Sequence, residues 1–260
     1  MHSEFICPQD RIDFASEMAL ASGKIVRKYF RSAIGVQHKA DATPVTIADQ
    51  ETEAAIVSMI RSKYPTDGII GEEGGCVNPD SPWQWVIDPI DGTKSFVMGG
   101  LDFGTIIGLL YKKKPVLGVV HQPILGELYV GNNHQATLNG QPIHVAPVTQ
   151  LSDAYLVVTD LFDLYKKFPN HQKLDELFSS VKSVRTWGNC YGYMLIAQGL
   201  CHIMFEPNLH LWDMVGVIPV VQGAGGTITD CSGQDPLIGM SLLASVPSLH
   251  QQILKSIRKT

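Results

Sequence analysis

The chain is predicted to form an α+β first half, residues 1–150, packed closely against an α/β second half, residues 151–260. Three observations carry that prediction. Two amphipathic helical patterns open the chain, consecutive β-type stretches fill residues 105–130, and strand and helix patterns alternate after residue 153. No repeat or low-complexity linker separates the halves, so they read as two lobes of one folded unit.

Phe14, Met18, Ala21, Ile25 and Tyr29 recur at helical spacing, which predicts a helix from residue 10 to about 30. A second helix starts near Thr46, whose hydroxyl can cap it. It carries Ile56, Ile60 and Tyr64 on one face and ends before Pro65. Ile69-Ile70 is a short strand leading into Gly71-Glu72-Glu73, and residues 85–87 form a strand that ends in an acidic turn. Residues 105–111, 116–120 and 128–130 read as antiparallel strands, with hairpin turns at Lys112-Lys113-Lys114-Pro115 and Asn139-Gly140. The second half reads as strand 155–158, helix 161–178, a strand near Val184 and helix 191–199. Strand 203–205, helix 212–223, strand 227–228 and a closing helix from Ser248 follow.

Composition excludes several classes. A chain of 260 residues, 45% hydrophobic and 17% charged, has the balance of an ordinary globular protein. Its net charge of -5 argues against a nucleic-acid backbone as partner. Cys7, Cys76, Cys190, Cys201 and Cys231 are scattered without a C-x-x-C pair, which suits reduced thiols better than a disulfide frame or a zinc site. Residues 1–10 lack a basic-then-apolar signal pattern, and no apolar run is long enough to cross a bilayer. The expected location is the cytoplasm, with no membrane partner.

The chemistry concentrates in Trp85-Val86-Ile87-Asp88-Pro89-Ile90-Asp91-Gly92-Thr93, read with Gly71-Glu72-Glu73 before it and Trp212-Asp213 far after it. An apolar strand delivers Asp88 and Asp91 to a short turn bounded by proline and glycine. Two carboxylates in such a place are unfavourable unless a cation lies between them. Hard divalent cations favour rigid anionic oxygens with positions left open for water and phosphate. Glu72, Asp88, Asp91 and Asp213 are therefore the candidate metal ligands. Pro89 stiffens the turn, so the Ile90 carbonyl points in a definite direction and can add a further oxygen. Two ions sharing one carboxylate lie roughly 3.5–4 Å apart, and Asp88 is the natural bridge.

Gly92-Thr93 permits close approach of phosphate at a helix start, and the Thr93 hydroxyl can hold a water. Asp49, which also fits helix-start stabilisation, is a partner for Thr93 in aligning that water. Glu206 can close the side of the site that holds the leaving alcohol, and Asn189 can donate to the same substrate. His121, His134, His144, His202 and His210 form no H-x-x-x-H or H-E-x-x-H pattern, and Ser95 lacks a G-x-S-x-G context. Gly223-Ala224-Gly225-Gly226 follows a helix and precedes a strand, which reads as helix termination; a phosphate loop requires the reverse order.

These pieces together resemble the inositol monophosphatase superfamily of magnesium phosphatases, over nearly the whole chain. The resemblance rests on Ala48-Asp49, Gly71-Glu72-Glu73, Asp88-Pro89-Ile90-Asp91-Gly92-Thr93 and Trp212-Asp213 followed by Gly216. It implies a layered α/β/α/β/α sandwich, usually a homodimer, with two or three Mg²⁺ ions on Glu72, Asp88, Asp91, Asp213 and the Ile90 carbonyl. It further implies Asp49 and Thr93 positioning the water and Gly92-Thr93 holding phosphate. With these, Glu72 is expected among the catalytic residues, and Asp91, Gly92, Thr93, Asn189, Glu206 and Asp213 are expected around a small phosphorylated substrate. Phe103-Gly104-Thr105, Gly118-Val119-Val120-His121-Gln122-Pro123, Leu138-Asn139-Gly140 and Gly188-Asn189-Cys190-Tyr191 are most similar to the histidinol-phosphate phosphatase branch. Trp212 is similar to the inositol and broader sugar-phosphate members, and Asn189 stands where the histidinol-phosphate branch tends to carry Asp.

The expected activity is hydrolysis of histidinol phosphate by water, with inositol 1-phosphate or broad sugar and polyol phosphates as the alternative. The D-x-x-D spacing differs from the D-x-D of aspartyl-phosphate enzymes and fits direct attack of water. A non-catalytic ligand-binding relative is the other class, and the complete acidic set argues against it.

Overall fold

The computed structural model describes residues 6–32, 36–38, 44–168 and 170–257; the first five residues of the 1–10 segment lie outside it. Helix α1 (Gln9–Tyr29) buries Phe14, Met18, Ala19 and Val26. A short antiparallel pair, β1 (Val36–His38) and β2 (Pro44–Thr46), leads into α2 (Ile47–Lys63). Thr46 caps α2 as its sequence predicts: its hydroxyl accepts the Ala48 N–H at 3.1 Å, and Asp49 reaches back to the Thr46 N–H at 2.7 Å. Strands β3 (Gly68–Gly71), β4 (Gly75–Val77) and β5 (Trp83–Asp91) follow, then the short helix α3 (Thr93–Met98). A meander completes this half: β6 (Gly104–Tyr111), β7 (Lys114–Gln122), β8 (Glu127–Gly131), β9 (Ala136–Leu138) and β10 (Gln141–Pro142).

The second half runs β11 (Tyr155–Val157), α4 (Leu161–Lys167), α5 (His171–Ser180), β12 (Ser183–Arg185) and α6 (Asn189–Ala197). It continues β13 (Ile203–Glu206), α7 (Leu211–Val215), α8 (Val217–Gly223), β14 (Thr227–Thr229), α9 (Pro236–Gly239), β15 (Leu242–Ser245) and α10 (Pro247–Ile257). Strands β3–β10 form an eight-stranded sheet in the order β10-β9-β8-β7-β6-β5-β3-β4; β11–β15 form a five-stranded sheet in the order β12-β11-β13-β15-β14. The hairpin turns have the geometry their residues favour. Lys112 and Lys113 both take positive φ (49° and 65°), as do Asn139 and Gly140 (49° and 79°), matching the twist of the flanking strands.

Side-chain alternation stacks the layers. On one face of the large sheet, Trp85, Ile87, Ile107, Leu109 and Val119 pack against Phe14, Met18, Ile56 and Ile60 of α1 and α2. On the opposite face, Ile106 and Val120 meet Tyr193 and Met194 of α6 and Val217 and Val221 of α8. Those helices also cover Val157, Met204, Leu242 and Ala244 of the small sheet, while Leu156, Ile203, Phe205 and Leu243 point the other way onto α4, α5 and α10. The result is an α/β/α/β/α sandwich. Each fully buried aliphatic side chain in it contributes roughly 1.5–3 kcal/mol relative to exposure. Among the described residues, no helix is long and apolar enough to cross a membrane.

Three predicted boundaries are corrected, and one strand is added. Strand 85–87 extends to Asp91, so the acidic pair lies within β5. The helix predicted over 161–178 is two helices, because Pro169 disfavours helical geometry at the residue before it, and Phe168 turns extended at φ −102°, ψ 102°. The helix over 212–223 breaks at Gly216, since Pro219 cannot donate to the Val215 carbonyl and its ring crowds that position. Strand β15 went unpredicted; it enters antiparallel between β13 and β14, so the small sheet is mixed.

The α7–α8 junction at Gly216 packs against a row of glycines. Gly108, Gly118 and Gly131 are cross-strand partners on β6, β7 and β8. A Cβ on Gly118 would lie 1.8 Å from the Gly216 carbonyl oxygen, and one on Gly131 would lie 2.4 Å from the Val220 Cα. Bare backbone in this row brings the α7–α8 junction onto the sheet. We predict that Gly118→Ala lowers the unfolding free energy by roughly 1–3 kcal/mol or more, measured by urea denaturation, because backbone must move.

His250 supplies a pH-dependent contribution. It is buried, with Nδ1 2.8 Å from the Ser245 hydroxyl and Nε2 3.0 Å from the Thr229 hydroxyl, tying α10 to β15 and β14. Burial pushes its pKa down from 6.5 to about 4. The unfolded chain therefore binds the proton first, so stability is full above about pH 6.5 and falls as the pH drops toward 4. The expected loss is up to about 3 kcal/mol. Urea titrations at pH 7 and 4.5 check it: the stability difference between wild type and His250→Gln should shrink at the lower pH.

Candidate active site

Strand β5 is buried along nearly its whole length and carries Asp88 and Asp91 at its carboxyl end. Pairing with β6 slips there: Asp88 opposes Ile106 and Asp91 opposes Gly104, so three steps on β5 face two on β6. Pro89 cannot donate to the ladder, which makes this the natural place for a bulge. The bulge is pinned by the Thr105 hydroxyl, which donates to the Pro89 carbonyl at 2.8 Å. Ile90 buries its side chain among Val26, Ala48, Phe96 and Phe103, and its carbonyl accepts the Thr93 hydroxyl at 3.0 Å. Gly92, at φ 83°, turns the chain into α3; a Cβ here would meet Asn189 Nδ2 and the Asp102 carbonyl, each at 2.8 Å.

Strand β3 runs parallel to β5, so Glu72 emerges beside the Asp88 end of β5, with its N–H on the Ile87 carbonyl at 3.2 Å. Asp213 lies in the first turn of α7, where Oδ2 accepts the His210 N–H at 2.6 Å. Carboxylate oxygens of Asp88, Asp91 and Asp213 all fall within 4.8 Å of one another. Asp91 is further held by the Cys190 N–H at the start of α6. Asp88 Oδ1 is buried and has no hydrogen-bond partner among the described residues.

The electrostatics follow from this crowding. Burial pushes the Asp88 carboxyl well above the usual carboxylate range, and Glu72, Asp91, Asp213 and Asp49 push it further. Burial and then Asp213 raise Asp91, against the opposing Cys190 hydrogen bond. An orphaned buried oxygen within a crowded acidic cluster is the donor set a hard cation fits.

Glu72, Asp88, Asp91 and Asp213 line a cavity of about 220 Å³. Ile90, Gly92, Thr93 and Asn189 share its wall, together with Lys94 and Thr159, which sequence reasoning did not single out. Asp49 sits behind Thr93, with Oδ1 3.4 Å from the Thr93 hydroxyl and Oδ2 held by the Thr46 hydroxyl at 2.7 Å. Burial raises Asp49 to about 6, the Thr46 bonds oppose that rise, and Glu73 and Glu72 add to it. Asn189 commits its amide to the Asp102 carbonyl at 2.7 Å. Glu206 lines an adjoining cavity of about 180 Å³ that shares Lys94 and Thr159 with the first. It accepts the Thr159 hydroxyl, and burial raises it to about 7, with the Thr159 bond opposing. A further acidic residue passed over by the sequence reading, Glu53, accepts the N–H groups of Glu73 and Gly74. Its signal was its place one turn after Asp49 on a face that should be apolar.

The inositol monophosphatase family model matches residues 8–260. The chain belongs to the inositol monophosphatase family. It is 41% identical over 259 residues to the bifunctional phosphatase IMPL2 of Arabidopsis thaliana, named as chloroplastic, covering 92% of this chain and 72% of that one. It is 36% identical over 249 residues to a histidinol-phosphatase of Chlorobaculum parvum, covering 95% and 96%. Among solved structures, an inositol monophosphatase from Zymomonas mobilis superposes with a TM-score of 0.84 at 32% identity, covering 96% and 98%. Like the family, the chain is a phosphatase, a phosphomonoester hydrolase.

We predict that Asp88→Asn makes the cation-free protein more resistant to urea, by roughly 1–3 kcal/mol, because a buried, repelled carboxylate is removed. Addition of Mg²⁺ should stabilise wild type and leave the variant nearly unchanged.

Proposed function

We propose that this member of the family hydrolyses histidinol phosphate to histidinol and phosphate, by direct in-line attack of water. The observation that carries the hydrolytic reading is the convergence of Asp88, Asp91 and Asp213 around the unpartnered Asp88 Oδ1. Glu72, Asp88, Asp91, Asp213 and the Ile90 carbonyl are the oxygens that would hold two or three Mg²⁺ ions. When bound, Mg²⁺ neutralises phosphate charge and acidifies the attacking water. Thr93 orients that water, with Asp49 behind it fixing the hydroxyl. The space left by the missing Gly92 side chain is taken by Asn189 and the Asp102 carbonyl, not by ligand. The first N–H groups of α3, which have no intrahelical acceptor, are what would meet a phosphate oxygen. Positioning and charge neutralisation then suffice, with no covalent nucleophile.

Glu206 and Asp213 offer carboxylates toward the leaving alcohol, which suits one that carries an ammonium group. The likeness to a histidinol-phosphatase supports that choice. A second reading, inositol 1-phosphate or broad polyol phosphates, is favoured by Trp212 and by the likeness to an inositol monophosphatase. Assembly as a homodimer is part of the proposal and rests on family likeness; light scattering of the purified chain tests it.

Phosphate release from histidinol phosphate and inositol 1-phosphate, each with Mg²⁺ or EDTA, decides between the readings. The expected result is EDTA-sensitive release with kcat/KM at least about tenfold higher for histidinol phosphate, a difference of 1.4 kcal/mol in transition-state binding. The reverse preference would establish the second reading. Asp88→Asn should lower turnover more than about 100-fold, and ¹⁸O from water should enter phosphate. Trapping an acyl phosphate on Asp88 would refute direct attack.

A further inference from the structure

Glu53 lies one helical turn after Asp49 on α2 and is 4% exposed. Its two carboxylate oxygens accept consecutive backbone N–H groups, Oε2 from Glu73 at 2.9 Å and Oε1 from Gly74 at 2.6 Å. The β3–β4 turn is shaped around this carboxylate: a Cβ on Gly71 would lie 2.5 Å from Oε1, and one on Gly74 2.7 Å. Glu72, the acidic residue of the turn, sits between the Gly71 backbone and the clamped Glu73 N–H. One turn earlier on the same helix, Asp49 reaches the Thr93 hydroxyl behind the β5–α3 segment. Residues four apart share a helix face. One rigid helix therefore grips both acidic segments from behind, through two buried carboxylates that face different loops.

We propose that Glu53 is a positioning residue that places Glu72 relative to Asp88 and Asp91, and thereby sets the affinity of the acidic cluster for its divalent cation. This rests on the reading of that cluster as a Mg²⁺ site. Charge-assisted bonds to a carboxylate are roughly twice as strong as neutral ones. Glutamine keeps the volume of Glu53 but offers one acceptor atom where Glu53 uses two, so its amide nitrogen, a donor, faces one of the two N–H groups. Glu72 then gains freedom without losing its own carboxylate.

The test compares wild type, Glu53→Gln, Glu53→Asp and Gly74→Ala as full-length chains. Mg²⁺ binding is followed by isothermal titration calorimetry without substrate, and exchange of the Glu73 and Gly74 amides is followed by hydrogen–deuterium exchange without metal. Glu53→Gln and Gly74→Ala should each weaken Mg²⁺ binding by roughly 10–100-fold, the range of outer-shell changes at metal sites. Both should speed exchange of the two amides, retain the wild-type circular dichroism spectrum, and recover kcat at saturating Mg²⁺. Glu53→Asp should fall between them and wild type. Unchanged Mg²⁺ affinity in folded Glu53→Gln overturns the proposal. If that variant does not fold, Gly74→Ala, at an exposed turn position, decides by the same criterion. Failure of wild type to bind Mg²⁺ refutes the Mg²⁺ reading, and the proposal with it.

Discussion

Asp88 is buried, Asp91 and Asp213 are half-buried beside it, and their mutual repulsion is the constraint that the surrounding structure must withstand. A flexible chain would relieve it by turning one carboxylate outward. Here that route is closed by separate restraints. The bulge in β5 is fastened at Pro89, the Cys190 N–H holds Asp91, and the His210 N–H holds Asp213. The glycine row on β6, β7 and β8 lets α7 approach until Asp213 reaches the end of β5. Glu53 and Asp49 restrain the two acidic loops from the opposite side. Hydrogen bonds from rigid backbone keep the carboxylates together, and the repulsion between them is what a bound cation would relieve.

The two sheets contribute differently to this place. Glu72, Asp88 and Asp91 come from the carboxyl ends of β3 and β5, the parallel pair of the large sheet. Thr159 follows β11 and Glu206 ends β13, the central parallel pair of the small sheet. Both pairs end at one crevice, the position where open α/β sheets bind their ligands. Acidic oxygens thus arise mainly from one half, and the wall carrying Thr159 and Glu206 from the other.

Legibility was highest where an interaction spans few residues. The Thr46 cap, the Lys112-Lys113 and Asn139-Gly140 turns and the β6–β8 meander were readable because each depends on neighbours in the chain. The acidic motif was readable because its residues crowd into one short stretch. Strand β15 was missed because four residues, Leu242–Ser245, acquire strand geometry only by insertion between β13 and β14. The extension of β5 through Asp88-Pro89 was missed because proline normally ends a central strand, and a bulge with a Thr105 side-chain bond was needed to keep pairing beyond it. Glu53 was passed over because a single acidic residue on a helix looks solvated until the turn that folds over it is known.

Residue type and local spacing alone determined α1 and α2, the hairpins, the family resemblance and which carboxylates to watch. They could do so because capping, turn geometry and hydrophobic period are short-range. Convergence belongs to tertiary packing: Asp213 lies 122 positions beyond Asp91 in the chain, yet oxygens of the two fall within 4.8 Å. That approach depends on glycine-lined contact between α7–α8 and the large sheet, and on α6 beginning where it can hold Asp91. Burial, the raised carboxyl groups and the clamp by Glu53 arise only once those layers close, because desolvation and charge repulsion are set by distance in space, not along the chain.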